Sequence, residues 1–193
     1  MKIAKCSLLR TAAPVLVASV SLAAFAVPAV PAAAQETPGS VVDRVDGTVR
    51  ILAFPNAANS MRVSVATDGP RQGHLIVEDD AHILARPGCT AVPGTDGTAA
   101  DCGIAYGTGG VTRINAALGN FGDSFFSTAP ISTVINAGTG GDFVRTGGAN
   151  DTIDLRDGVV GNDSADCDGG GNDAVVANLR DLIAANCERR VRV

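Results

Sequence analysis

Residues 137–176 read AGTGGDFVR (137–145), TGGANDTID (146–154), LRD, GVVGNDSAD (158–166), C, DGGGNDAVV (168–176). Each nine-residue segment opens with a glycine-rich stretch and carries Asp at its sixth position. An apolar residue follows two places later. The pairs are Asp142/Val144, Asp151/Ile153, Asp163/Ala165 and Asp173/Val175, and Asp123/Phe125 repeats the pattern upstream. Gly, Asn and Asp favour any surface turn. Four such turns at one phase, each with an apolar partner, instead point to an internal repeat.

Spacing gives the repeat an architecture. Asp123, Asp142 and Asp163 are separated by 19 and 21 residues, and Asp151 and Asp173 by 22. Two nonapeptides make a turn of 18 residues, and short loops absorb the remainder. The expectation is two aspartate columns on opposite edges of a stack. Asp101, a further 22 residues before Asp123, extends the first column. Stacked turns bring like positions to ~4.8 Å. Two carboxylates at that distance repel by roughly 3 kcal/mol at an effective dielectric of ~20. A hard cation with six to eight oxygen ligands relieves this, and calcium tolerates irregular oxygen sets better than magnesium does. Folding and cation binding are then coupled.

The ends of the chain have different tasks. Lys2, Lys5 and Arg10 precede an apolar run over Ala12–Ala26, and Ala32-Ala33-Ala34 reads as a cleavage site. Residues 1–34 are thus expected to be a secretory signal peptide rather than a membrane span, which makes the mature chain secreted and Cys6 a bystander. Its removal leaves 12 arginines against 20 acids, a net charge of −8 with no lysine. That balance excludes nucleic acid as a partner and suits divalent cations. The chain lacks tryptophan and is poor in other aromatic residues, so its core must be narrow. A stack of turns tolerates this, because each turn buries only one apolar column.

Four cysteines remain, Cys89, Cys102, Cys167 and Cys187. In an exported chain an even number reads as disulfides, and three connectivities exist. Cys89–Cys102 and Cys167–Cys187 are favoured, each bracketing a turn-sized stretch. No C-x-x-C occurs, and His74 and His82 lie away from the cysteines, which argues against zinc. Residues 35–47 read as a polar lead-in. Short β runs are expected at Thr48–Phe54, Met61–Ala66, Leu75–Glu78, His82–Ala85, Val111–Leu118 and Ile131–Asn136. Residues 48–136 form a less regular β-rich half, and 137–193 form the repeats and a C-terminal cap. Ala177–Asn186 fits either a helix or a final strand with a capping loop.

The repeats resemble the hemolysin-type calcium-binding (RTX) nonapeptide G-G-x-G-x-D-x-U-x, where U is a large apolar residue, as found in small exported actinobacterial proteins. The resemblance implies an all-β fold, a right-handed parallel β-roll or β-solenoid with calcium between consecutive turns. Carried over residue by residue, it assigns calcium to Asp142, Asp151, Asp163 and Asp173, with Asp123 upstream. Backbone ligands would come from Gly138, Gly140, Gly147, Gly148, Gly161, Gly169 and Gly171. Departures are Ala137, Thr146 and Asp168 at the first glycine, Val159 at the second and Ala149 at the fourth. Leu155-Arg156-Asp157 and Cys167 interrupt the register.

Phe121-Gly122-Asp123-Ser124 and Gly148-Ala149-Asn150-Asp151 resemble the nucleophile and oxyanion blocks of GDSL hydrolases. The base would be His82, after Asp79, but it lies upstream of Ser124 and that family places it downstream. No H-E-x-x-H of a zinc protease is present. The expected function is a non-catalytic, calcium-coupled extracellular module, of a kind suited to surface or matrix attachment. A calcium-independent structural or adhesion solenoid is the alternative.

Overall fold

The computed structural model describes residues 39–55 and 57–193. The expected signal peptide and the first residues of the lead-in lie outside the described residues. No helix among the described residues is long and apolar enough to cross a membrane. Among the described residues, sixteen strands form two eight-stranded sheets.

The N-terminal half is mainly antiparallel. Strand β1 (Ser40–Val45) pairs with β2 (Thr48–Ala53) in a hairpin. Its turn is Asp46-Gly47, with φ of 49° and 75°, the left-handed pair that a two-residue hairpin requires. This corrects the expectation for residues 35–47: from Ser40 onward the lead-in is a strand, since Val42 alternates into the core. β3 (Ser60–Val65), β4 (His74–Glu78) and β7 (Ala99–Ile104) pair antiparallel, with β6 (Thr90–Ala91) outside them. β5 (Ile83–Ala85) runs parallel to β1.

The chain then alternates between sheets. One sheet receives β8 (Arg113–Ala117), β10 (Thr133–Asn136), β12 (Thr152–Asp154), β14 (Ala174–Ala177) and β16 (Arg189–Arg192). The other receives β9 (Ser124–Ser127), β11 (Phe143–Arg145), β13 (Ser164–Asp166) and β15 (Leu182–Ile183). Every pairing within these two sets is parallel. β2–β8 and β3–β9 are parallel too and join the two halves.

Strands this short point few side chains inward. One register row is Ile51–Ala116–Ile135–Ile153–Val175, and the facing row is Met61–Phe125–Val144–Ala165–Ile183. All but Ile183 are buried, and from Phe125 to Val175 they include the residues two places after each repeat Asp. The small Ala165 accounts for how little bulk one layer needs. Val175 is followed in its row by Arg190, and Ala177 by Arg192. All four residues of β16, which is an edge strand, are exposed.

Residues 177–186 take the strand-and-loop alternative rather than a helix. Leu182 is 73% exposed and Asp181 is 1% exposed, the reverse of what an amphipathic helix with Leu179, Leu182 and Ile183 inward would give. Disulfides join Cys89 to Cys102 and Cys167 to Cys187, the favoured pairing.

Candidate metal centre

The register aligns the aspartates in two columns. Each stands immediately before a short strand, so parallel pairing of the strands stacks them. The first column runs Asn59–Asp123–Asp142–Asp163–Asp181, entering one sheet, and the second runs Thr133–Asp151–Asp173–Glu188, entering the other. A turn-strand-turn path puts the columns at opposite edges.

A hydrogen-bond ladder runs along each column. Asp123 Oδ1 accepts the Asn59 N–H at 2.7 Å, Asp142 Oδ1 accepts the Asp123 N–H at 2.8 Å, and Asp163 Oδ1 accepts the Asp142 N–H at 2.8 Å. In the second column Asp151 Oδ1 accepts the Thr133 N–H at 2.7 Å, and Asp173 Oδ1 accepts the Asp151 N–H at 2.8 Å. Glu188 Oε2 then accepts the Asp173 N–H at 2.7 Å. Each carboxylate thereby satisfies a buried main-chain donor just outside a short strand.

The second oxygens behave differently. Oδ2 of Asp123, Asp142, Asp151, Asp163 and Asp173 is buried and accepts no hydrogen bond within the protein. These residues are 0–2% exposed. A half-satisfied buried carboxylate is costly. Burial accordingly pushes the carboxyls of Asp142, Asp151 and Asp163 up to about 6, against the hydrogen bonds they accept, and their column neighbours add repulsion. Burial raises Asp123 and Asp173 as well.

Asp181 and Glu188 were not among the sequence candidates. Asp181 is fully used: Oδ1 accepts the Gly161 N–H at 3.0 Å and Oδ2 the Asn178 N–H at 2.7 Å. It closes its column without an open oxygen. Only its 18-residue distance from Asp163 could have marked it, because no G-x-D precedes it. Asp101 does not extend the first column. It lies in antiparallel β7 and binds His74 Nδ1 at 3.0 Å and Arg71 at 3.3 Å.

The glycines divide into two groups. Gly138, Gly140 and Gly161 have positive φ, at 95°, 144° and 76°. A Cβ at Gly138 or Gly140 would also overlap a carbonyl of the preceding turn, Gly119 or Phe121. Gly147 and Gly148 lie outside the left-handed region, but Gly147 abuts the Ala129 carbonyl. Gly169 and Gly171 have open space around them; it is Gly170 that packs against the Ala149 carbonyl and the Asp173 carboxylate. Close approach of turn to turn, more than φ, is what the second edge requires.

Comparison with protein-family models, with curated proteins and with solved structures finds no match to this chain. The chemistry is therefore argued from the site alone. Among the described residues, no three His, Cys, Asp or Glu side chains close around one point. A cation in a column would take its charge from two consecutive carboxylates and its other oxygens from turn carbonyls and water. An all-oxygen, irregular set of this kind fits calcium. Both breaks in the nonapeptide register have structural uses. Asp157 accepts from Val159 N–H at 2.7 Å and Asn162 Nδ2 at 2.9 Å, and Cys167 forms its disulfide.

The hydrolase-like blocks are separated by the same geometry. Asp123 precedes β9 and Asp151 precedes β12, in different sheets and at opposite edges. Both aspartates belong to the ladders, and Ser124 is an exposed residue of β9 whose N–H is given to the Asn59 carbonyl at 2.8 Å.

Proposed function

We propose that this chain is a secreted, non-catalytic calcium-binding module whose parallel half is an RTX-like β-roll. One observation carries the reading. Five aspartates in two columns each keep one buried carboxylate oxygen without a partner, at a spacing that stacks like charge on like charge. Calcium bound between consecutive rungs would use those oxygens, offset the repulsion and couple ion uptake to ordering of the turns. Two disulfides and a scarcity of large core side chains suit an extracellular protein that draws stability from cross-links and ions. Attachment to a surface or matrix would be the corresponding biological use.

Calcium titration of the mature chain, Gln35–Val193, with its disulfides intact tests this by calorimetry and circular dichroism. Saturable uptake with a gain of β signal, not reproduced by magnesium, is the expected result. No uptake by an already folded chain would overturn it.

A second reading has its own observation. The Oδ1 atoms already form a ladder to main-chain N–H groups. The aspartates could serve only as buried acceptors in a calcium-independent solenoid. That protein would have the same unfolding curve in EDTA and in calcium.

A further inference from the structure

The first column ends at the seam between the antiparallel and parallel halves, and unusual chemistry collects there. Asp123 Oδ1 accepts the Asn59 N–H at 2.7 Å. The next amide along, Ser60 N–H, faces Asp79 Oδ1 at 3.3 Å and Asp80 Oδ1 at 3.1 Å. Three carboxylates thus converge on two consecutive main-chain donors. Two further donors reach Asp79, the Ser40 hydroxyl to Oδ2 at 2.8 Å and the Ala81 N–H to Oδ1 at 3.4 Å. Asp79 and Asp123 are 4% and 1% exposed. Among the described residues no ion pair reaches Asp79, Asp80 or Asp123. Hydrogen bonds alone leave this much buried negative charge poorly compensated.

Two oxygens without partners point the same way. Asn59 is 3% exposed, yet its Oδ1 is buried and accepts no hydrogen bond, while its Nδ2 donates to the Ala57 carbonyl at 3.0 Å. That Oδ1 lies beside Gly39, where an added Cβ would stand 3.2 Å away, next to the Ser40 that holds Asp79. Asp123 Oδ2 is the other partnerless oxygen. Amide oxygen and carboxylates are the ligand types of a hard cation.

We propose that Asn59, Asp79 and Asp123 form a divalent-cation site of the calcium class at this seam, with exposed Asp80 adding charge. Since no three acidic side chains among the described residues close around one point, the ion takes carboxylate oxygens from Asp79 and Asp123, the Asn59 amide oxygen and water. The site shares Asp123 with the first column, but Asn59, Asp79 and Asp80 lie outside the repeats. Its effect is to tie β3 and the β4–β5 connection to the first parallel turn.

Equilibrium dialysis of the mature, disulfide-intact chain against calcium chloride tests it by counting ions per chain. The Asp79→Asn/Asp80→Asn variant is expected to bind one ion fewer than wild type. Asn59→Ala is expected to keep the fold and weaken that ion by about tenfold, as loss of a single oxygen partner does. Asp151→Asn/Asp173→Asn is expected to retain it. The proposal is overturned if Asp79→Asn/Asp80→Asn, folded by circular dichroism, binds as many ions as tightly as wild type. Should that variant not fold, unchanged affinities in Asn59→Ala overturn the proposal. Wild-type uptake by Asp151→Asn/Asp173→Asn beside a loss in the Asp79 variants would count against the second column's calcium role and leave the seam site standing. No uptake by wild type would end both.

Discussion

Replacing Asp142 separates the two tasks of a ladder aspartate. Its Oδ1 accepts the Asp123 N–H, and its Oδ2 is buried without a partner. Asp142→Asn keeps an acceptor for the N–H and removes the charge. Asp142→Ala removes both. A carboxyl raised from 3.8 to about 6 carries about 3 kcal/mol of unfavourable charge at neutral pH. Screening in a turn near solvent reduces that to about 1 kcal/mol. In EDTA at pH 7.5, Asp142→Asn is therefore expected to be about 1 kcal/mol more stable than wild type. Asp142→Ala leaves a buried N–H without an acceptor, at about 1–3 kcal/mol, and should be less stable than Asp142→Asn by that amount. If calcium binds as proposed, it should reverse the order of wild type and Asn. An ion at 100 times its Kd adds about 2.7 kcal/mol to wild type, and the variant loses much of this. Urea unfolding followed by circular dichroism, with EDTA and with calcium, reads all three curves. If Asn destabilises in EDTA as much as Ala does, the charge itself supports the fold and the reasoning fails.

Acid should act as a partial substitute for the ion. The folded chain holds protons on Asp142, Asp151 and Asp163 more tightly than the unfolded chain, with values of about 6 against 3.8. Stability from these groups is complete below about pH 4 and is lost as pH rises through 6. In EDTA the urea midpoint should be higher at pH 5 than at pH 7.5, with the difference shrinking in calcium; an opposite slope would contradict it. Cys167→Ser/Cys187→Ser opens a loop with a sequence separation of 20 and should cost about 3 kcal/mol by urea unfolding. Gly138→Ala places a Cβ against the Gly119 carbonyl at a φ of 95° and should cost more than about 2 kcal/mol, whereas Gly169→Ala meets nothing within 4 Å and should change stability by under about 0.5 kcal/mol. Thermal melts of the pair give the comparison.

The columns were legible because one residue type, one spacing and one apolar follower recur together. Asp123, Asp142 and Asp163, and separately Asp151 and Asp173, fall in line as their spacing predicts. The rungs that end the columns were not legible. Asn59, Thr133, Asp181 and Glu188 are placed by strand pairing rather than by any preceding glycine motif. In the antiparallel half the pattern marks short β runs but not their connectivity, save at one point: Asp46-Gly47 between alternating runs is the residue pair that a tight hairpin turn selects. Asp101 shows the opposite error. Its spacing matched by coincidence, and its partners are His74 and Arg71 in a different arrangement.

The terminal strand β16 governs how far such a stack can grow. Its single neighbour in the sheet, β14, carries buried Val175 and Ala177 at the register positions where β16 carries Arg190 and Arg192. The Arg192 guanidinium donates to the Asp181 carbonyl at 3.1 Å. A strand added beside β16, from another copy or another protein, would have to cover two arginines that are now exposed, at several kcal/mol each if their guanidinium groups were buried unpaired. Open β edges invite filament formation, and inward-pointing charge is a recognised deterrent. The exposed edge of this sheet thus carries charge that opposes pairing with a further strand.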